Sequence, residues 1–162
     1  MSVARVIRIA LGALVVVAMS VVSSANVAAA ADQYSKQTTR DVVGESSPPE
    51  APGDLLTVAK VTIPPKGLVA KHRHPVMQIA TIVSGRLTYS VLDGTAYVTR
   101  SGKTTQSQEA VTAGHTITLR PGDTVTENPD MVHQAKNATS KPVVVWTAVV
   151  AKPGETITLN VG

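Results

Sequence analysis

Two histidines stand one residue apart in the stretch GLVAKHRHPVMQIATIVSG (67–85), and Gln78 follows four residues after the second. In an extended strand, residues two apart project from one face. His72 and His74 therefore present their imidazoles to a common point, and Gln78 shares their parity if Pro75 only bends the strand. Imidazole is the commonest protein ligand for divalent transition ions. A third histidine, His133, lies far downstream in NPDMVHQAKN, with Asn137 four residues on. Three such ligands can hold an ion and leave positions open for substrate or water. An amide offers such an ion only a neutral carbonyl oxygen, where a carboxylate would bring charge. Gln78 is thus expected either as a fourth ligand or as a hydrogen-bonding support behind the histidines. Met77, Met131 and Trp146 are further candidates for lining a ligand pocket, while His115 has no partner at useful spacing.

Other chemistries find little support. The chain has no cysteine and no G-x-S-x-G elbow or phosphate-cradling glycine loop. The carboxylates nearest the histidines in sequence, Asp123, Glu127 and Asp130, show no spacing that suggests a catalytic pair, so no general acid or base is evident. Asp123, after Gly122, is expected to brace a turn through backbone N–H groups. No cluster of basic residues with interleaved aromatics marks a nucleic-acid surface.

The elements that must position these side chains read as strands. LLTVAKVTI (55–63), QIATIVSG (78–85), RLTYSVLDG (86–94), TAYVT (95–99), HTITLRPGD (115–123), TVTEN (124–128), VHQAKN (132–137) and PVVVWTAVV (142–150) alternate or run apolar, and each is bounded by turn formers. Asp93-Gly94 is a hairpin signal, and Pro121-Gly122 suits a type II turn. Residues 101–114 form a polar excursion, expected as a long hairpin tip or surface loop. With no phenylalanine, the core must come from Val, Ile, Leu, Ala and Met, residues that suit strands. No helical apolar period is sustained after residue 31, and many short strands point to an all-β sandwich or barrel.

The two histidine blocks resemble a known pattern. G-x4-H-x-H-x3-Q-x6-G runs from Gly67 to Gly85, and G-D-x5-P-x3-H-x3-N runs from Gly122 to Asn137. Together they are similar to the paired motifs of the cupin superfamily, over roughly residues 55 to 150. That resemblance implies a single antiparallel β-barrel of the jelly-roll type. It also implies metal-binding roles for His72, His74 and His133, and it places Gln78 where the family usually has a glutamate ligand. The implied cofactor is a divalent transition metal: Fe, Mn, Ni or Zn. The implied functions are a metal-dependent oxygenase or isomerase acting on a small anionic organic molecule, or a non-catalytic barrel that binds a small molecule or metal. The family's habit of pairing barrels suggests a homodimer.

The first 31 residues carry Arg5 and Arg8, an uncharged apolar run and a small-residue end, the order of a secretory signal peptide cleaved near Ala30 or Ala31. Retention of the run as a membrane anchor is the rival reading. Cleavage would leave a secreted or periplasmic protein with no stable membrane span. Thirteen basic and eleven acidic side chains would remain, a net of +2. Residues 32–54 are expected as an N-terminal arm, with a short strand near TTRDVV, ahead of the barrel domain at 55–162.

Overall fold

The computed structural model describes residues 37–162, and the expected signal peptide (1–31) lies outside them. The strands are β1 (Thr39–Ser46), β2 (Leu55–Ile63), β3 (Leu68–Arg73), β4 (Gln78–Ser84), β5 (Leu87–Asp93), β6 (Thr95–Thr99), β7 (Glu109–Thr112), β8 (Thr116–Leu119), β9 (Thr124–Glu127), β10 (Val132–Lys136), β11 (Val143–Ala151) and β12 (Leu159–Asn160). They form two antiparallel sheets. One runs β1-β2-β11-β4-β9-β6-β7 and the other β12-β3-β10-β5-β8. Except at β1–β2 and β6–β7, each strand hands the chain to the opposite sheet. This is the jelly-roll arrangement, and it interleaves distant segments: His133 on β10 falls in register with His72 on β3.

Sheet-switching corrects one expectation. Asp93-Gly94 is not a hairpin turn: β5 pairs with β10 and β8, while β6 pairs with β7 and β9. The chain instead turns a corner at Gly94, whose φ of +77° suits glycine and where a Cβ would stand 3.0 Å from the Met131 Cβ. The polar excursion 101–114 is also more ordered than expected. It contains one 3₁₀ turn, Thr105–Ser107, and the strand β7.

The core lies between the sheets. Val143, Val145, Thr147 and Val149 point inward from β11, while Trp146 and Val150 point outward. Val143 and Val145 join Leu87, Tyr89 and Val91 of β5 and Val125 of β9 in one buried cluster. Two polar side chains fasten loops at its edge. Asn137, fully buried, donates to the carbonyls of Ile63, Pro64 and Lys141. Asp123 accepts from the backbone N–H groups of Ser101 and Arg120 and from Arg100, the bracing role expected of it. Burial opposes its charge, but those donors prevail and hold its carboxyl below the usual range. The arm strand β1 is not a separate appendage: it pairs with β2 from Thr39 to Ser46 as the edge of the larger sheet.

Candidate metal centre

The site forms where inner faces of the two sheets oppose each other. β3 and its C-terminal extension supply His72 and His74, and β10 supplies His133. The facing sheet supplies Gln78 from β4, directly opposite Glu127 of β9 in register. All five side chains are buried. One ligand atom from each histidine lies within 4.8 Å of the others, so the three expected imidazoles do converge.

The hydrogen bonds fix which nitrogens face inward. His72 Nδ1–H donates to the Ala70 carbonyl at 2.7 Å, and His74 Nδ1–H donates to the Ile157 carbonyl at 2.6 Å. In the neutral ring each leaves an Nε2 lone pair for the cavity. Ligand histidines commonly have this arrangement, because the second hydrogen bond orients the ring and raises its basicity. His133 Nδ1 is buried without a hydrogen-bond partner.

Glu127 is the residue that sequence reasoning passed over. Its Oε1 lies 3.2 Å from His133 Nε2, and its Oε2 lies 3.4 Å from His74 Nε2. Gln78 Nε2–H donates to Oε2 at 2.8 Å, and the Tyr89 hydroxyl donates to Oε1 at 3.1 Å. Ligand atoms about 2.1 Å from a shared ion, at tetrahedral to octahedral angles, stand about 3.0–3.4 Å apart. The His133–Glu127 and His74–Glu127 separations fall in that range, and three converging imidazoles beside a carboxylate are a donor set that suits a divalent transition ion. Gln78 stands behind the histidines as a hydrogen-bonding support, one of its two expected roles, and the neighbouring strand adds a buried carboxylate beside it. A signal for it was present. In TVTE, Glu127 shares the inward parity of Val125, and a lone acid on a buried strand face needs a partner.

Charge in the cluster is strongly coupled. Burial, reinforced by His133, lowers the pKa of His72 to about 4, so its lone pair is free at neutral pH. Burial opposes the charge of His74 as well, but the hydrogen bond and charge of Glu127 outweigh it and raise its pKa. Burial would likewise favour neutral Glu127, yet His133 and His74 hold its carboxyl well below the usual range. Burial and the adjacent Glu127 charge push the Tyr89 phenol up, so it stays protonated as a donor.

The site lines a cavity of about 210 Å³ whose remaining wall is mostly aliphatic, including Val61, Ile82 and Val145. The expected pocket residues fare differently from the ligands. Met77 and Trp146 are each 50% exposed, and Trp146 points out from β11, so neither lines the cavity. Met131 is buried, but it packs in the core cluster, also off the cavity wall. His115 is exposed and bonds locally to Thr112. Sequence reasoning also missed Arg40 of β1 and Thr38 just ahead of that strand, which line the cavity.

A profile of the cupin domain matches residues 59–151. No curated protein matches the chain by sequence. Among solved structures, the DMSP lyase DddQ of Ruegeria pomeroyi is similar at 19% identity and a TM-score of 0.52, over 78% of this chain and 53% of that one. A cupin 2 domain-containing protein of Halorhodospira halophila is similar at 15% identity and a TM-score of 0.51, over 77% and 70%. The oxalate decarboxylase of Lactobacillus farciminis matches at 18% identity and a TM-score of 0.44, over 65% of this chain, which spans only 26% of that larger protein. At these identities the likeness is one of fold.

Proposed function

The chain belongs to the cupin family, and on that premise we propose that it is an exported, single-domain metalloprotein acting on a small organic molecule. His72, His74 and His133 would hold a divalent Fe, Mn, Ni or Zn ion, with Glu127 as the anionic ligand. The observation that carries this reading is the convergence of three buried imidazoles, two of them beside a buried carboxylate, at the wall of a largely aliphatic cavity.

When bound, the ion supplies Lewis acidity and a template for substrate oxygen. The protein's part is to orient and to exclude water. The Ala70 and Ile157 carbonyls fix two imidazoles, while Gln78 and Tyr89 fix both oxygens of Glu127. With three neutral imidazoles, one carboxylate and a divalent ion, the site carries a formal charge of +1, which favours an anionic ligand. An oxygenase or isomerase acting on a small organic acid is the reaction class we favour.

One observation supports a non-catalytic reading. Gln78 donates to Glu127 and its Nε2 stands 3.1 Å from His74 Nε2, so a protein amide already bridges the carboxylate and one imidazole. A barrel of this kind could bind its ligand without an ion. Oxygen uptake and proton NMR, with metal-loaded protein and a panel of small organic acids, separate the two. Turnover that stops on chelation supports the enzyme. Saturable binding with no turnover under any of the four metals supports the binder.

A homodimer remains part of the proposal. Leu56, Met77, Ile79, Trp146 and Val150 are exposed on strands of the larger sheet or beside them, and a second copy would cover such a surface. Sedimentation at micromolar concentration should show a dimer, and a monomer alone would remove that element.

A further inference from the structure

The cavity rim carries a cation that metal binding leaves unused. Arg40 is the only arginine or lysine among the residues lining the cavity. It stands opposite Val61 of β2, itself a cavity residue. Among the described residues, no carboxylate lies within ion-pair distance of its guanidinium. The two acids that border a shallow depression beside it are otherwise engaged. Glu45 accepts from Thr57, and Glu155 accepts from the backbone of Lys152.

Two hydroxyls add to this. Thr38 Oγ1 and Thr147 Oγ1 are buried, line the same cavity and have no hydrogen-bond partner. Thr38 precedes Arg40 by two residues, on the same face of the extended chain. Buried hydroxyls are normally partnered, so these mark places where a polar atom of a ligand belongs. Much of the remaining wall is aliphatic, with Val61, Ala80, Ile82 and Val145 among its residues.

We propose that Arg40, aided by Thr38, is the carboxylate anchor of the ligand site, and that the ligand is a short carboxylic acid with an apolar body. A guanidinium matches a carboxylate by two parallel N–H···O bonds, which an ammonium cannot reproduce. The aliphatic wall takes the body of the molecule, and its far end reaches the histidines and Glu127. The volume of about 210 Å³ lies below the roughly 300–1,000 Å³ typical of drug-sized ligands, which limits the acid to a small one. The strand β1, which reads as a polar arm in sequence, becomes a specificity element. This assignment rests on the cavity being the ligand site of the proposed function, but it does not require the ion.

Isothermal titration of the full chain with acetate, butanoate and benzoate, each beside its uncharged amide, tests the assignment. It is run on zinc-loaded and on metal-stripped protein. At least one acid should bind tenfold or more tightly than its amide. Arg40→Gln should remove that preference, Arg40→Lys should restore only part of it, and zinc retention should be the same in all three forms. The assignment is overturned if no acid outbinds its amide, or if Arg40→Gln binds the acids as wild type does. Arg40-dependent binding in a protein that retains none of Fe²⁺, Mn²⁺, Ni²⁺ or Zn²⁺ would sink the metal reading and leave the anchor standing.

Discussion

Replacing Gln78 by glutamate would restore the family's usual residue, and the structure says that this should harm the metal-free protein. Gln78 Nε2 now donates to Glu127 Oε2 at 2.8 Å. In Gln78→Glu that donor becomes a second carboxylate oxygen, buried against the first. Two unit charges about 4 Å apart interact by about 4 kcal/mol at an effective permittivity near 20. Protonation caps the cost. Holding a carboxyl that ordinarily titrates near 4.3 neutral at pH 7 costs about 3.7 kcal/mol, at about 1.4 kcal/mol per pH unit. The variant should therefore lose about 2–4 kcal/mol of stability at pH 7 when stripped of metal. Near pH 5 most of the loss should disappear, because the added acid is then protonated cheaply and can donate to Glu127. A divalent ion should also rescue it, since the ion would screen both carboxylates. Urea unfolding of the full chain at pH 7 and pH 5, with chelator and with saturating zinc, reads all four states. A metal-free variant as stable at pH 7 as wild type would refute the contact between positions 78 and 127, and with it the placement of the site's carboxylate.

The acid sensitivity of the metal-stripped protein should carry the mark of His72. Its pKa falls from 6.5 unfolded to about 4 folded, so the unfolded chain binds the extra proton, and stability drops as pH falls between those values, by on the order of 3 kcal/mol. His72→Gln should lose markedly less than wild type over that window in urea unfolding, and equal losses would contradict the burial argument. Glu127 acts lower: its contribution is present above the ordinary carboxylate range and is lost as pH falls through its depressed folded value. Far from the site, Asn137→Ala should cost about 3–5 kcal/mol, because it orphans the three carbonyls Asn137 serves and the two donors of Thr139. A melting temperature within a few degrees of wild type would show that water replaces the amide.

The parts of the fold that rest on local pattern were legible. LLTVAKVTI became β2 residue for residue, and the alternation in RLTYSVLD located β5. The histidines were legible because parity and spacing are properties of single strands, and Gln78 joined them as its parity required. What failed depends on how strands pair. Asp93-Gly94 carries hairpin chemistry, but a jelly roll uses the same tight turn to change sheets. Trp146 lies in a strand that is apolar on both faces, so its sequence does not reveal which face is inside. Glu127 was overlooked because its partners, Gln78 and Tyr89, sit 49 and 38 residues away, on β4 and β5. β12 is two residues long and exists because it pairs with Arg73 and His72, not because of any period of its own. Arg40 looked like part of a polar arm until the pairing of β1 with β2 placed it over the cavity.

The central claim is that His72, His74, His133 and Glu127 hold one divalent ion. Metal analysis of untagged protein, wild type beside His133→Ala and Glu127→Gln, tests it most directly. Each protein is stripped, offered Fe²⁺, Mn²⁺, Ni²⁺ or Zn²⁺ singly, and gel-filtered before counting. The account predicts close to one ion per wild-type chain for at least one metal, near-complete loss in His133→Ala, and retention weakened by about 2–4 kcal/mol, on the order of 30- to 1,000-fold, in Glu127→Gln. A wild-type chain that leaves the column without metal in all four trials would contradict it, as would a His133→Ala variant that keeps as much metal as wild type.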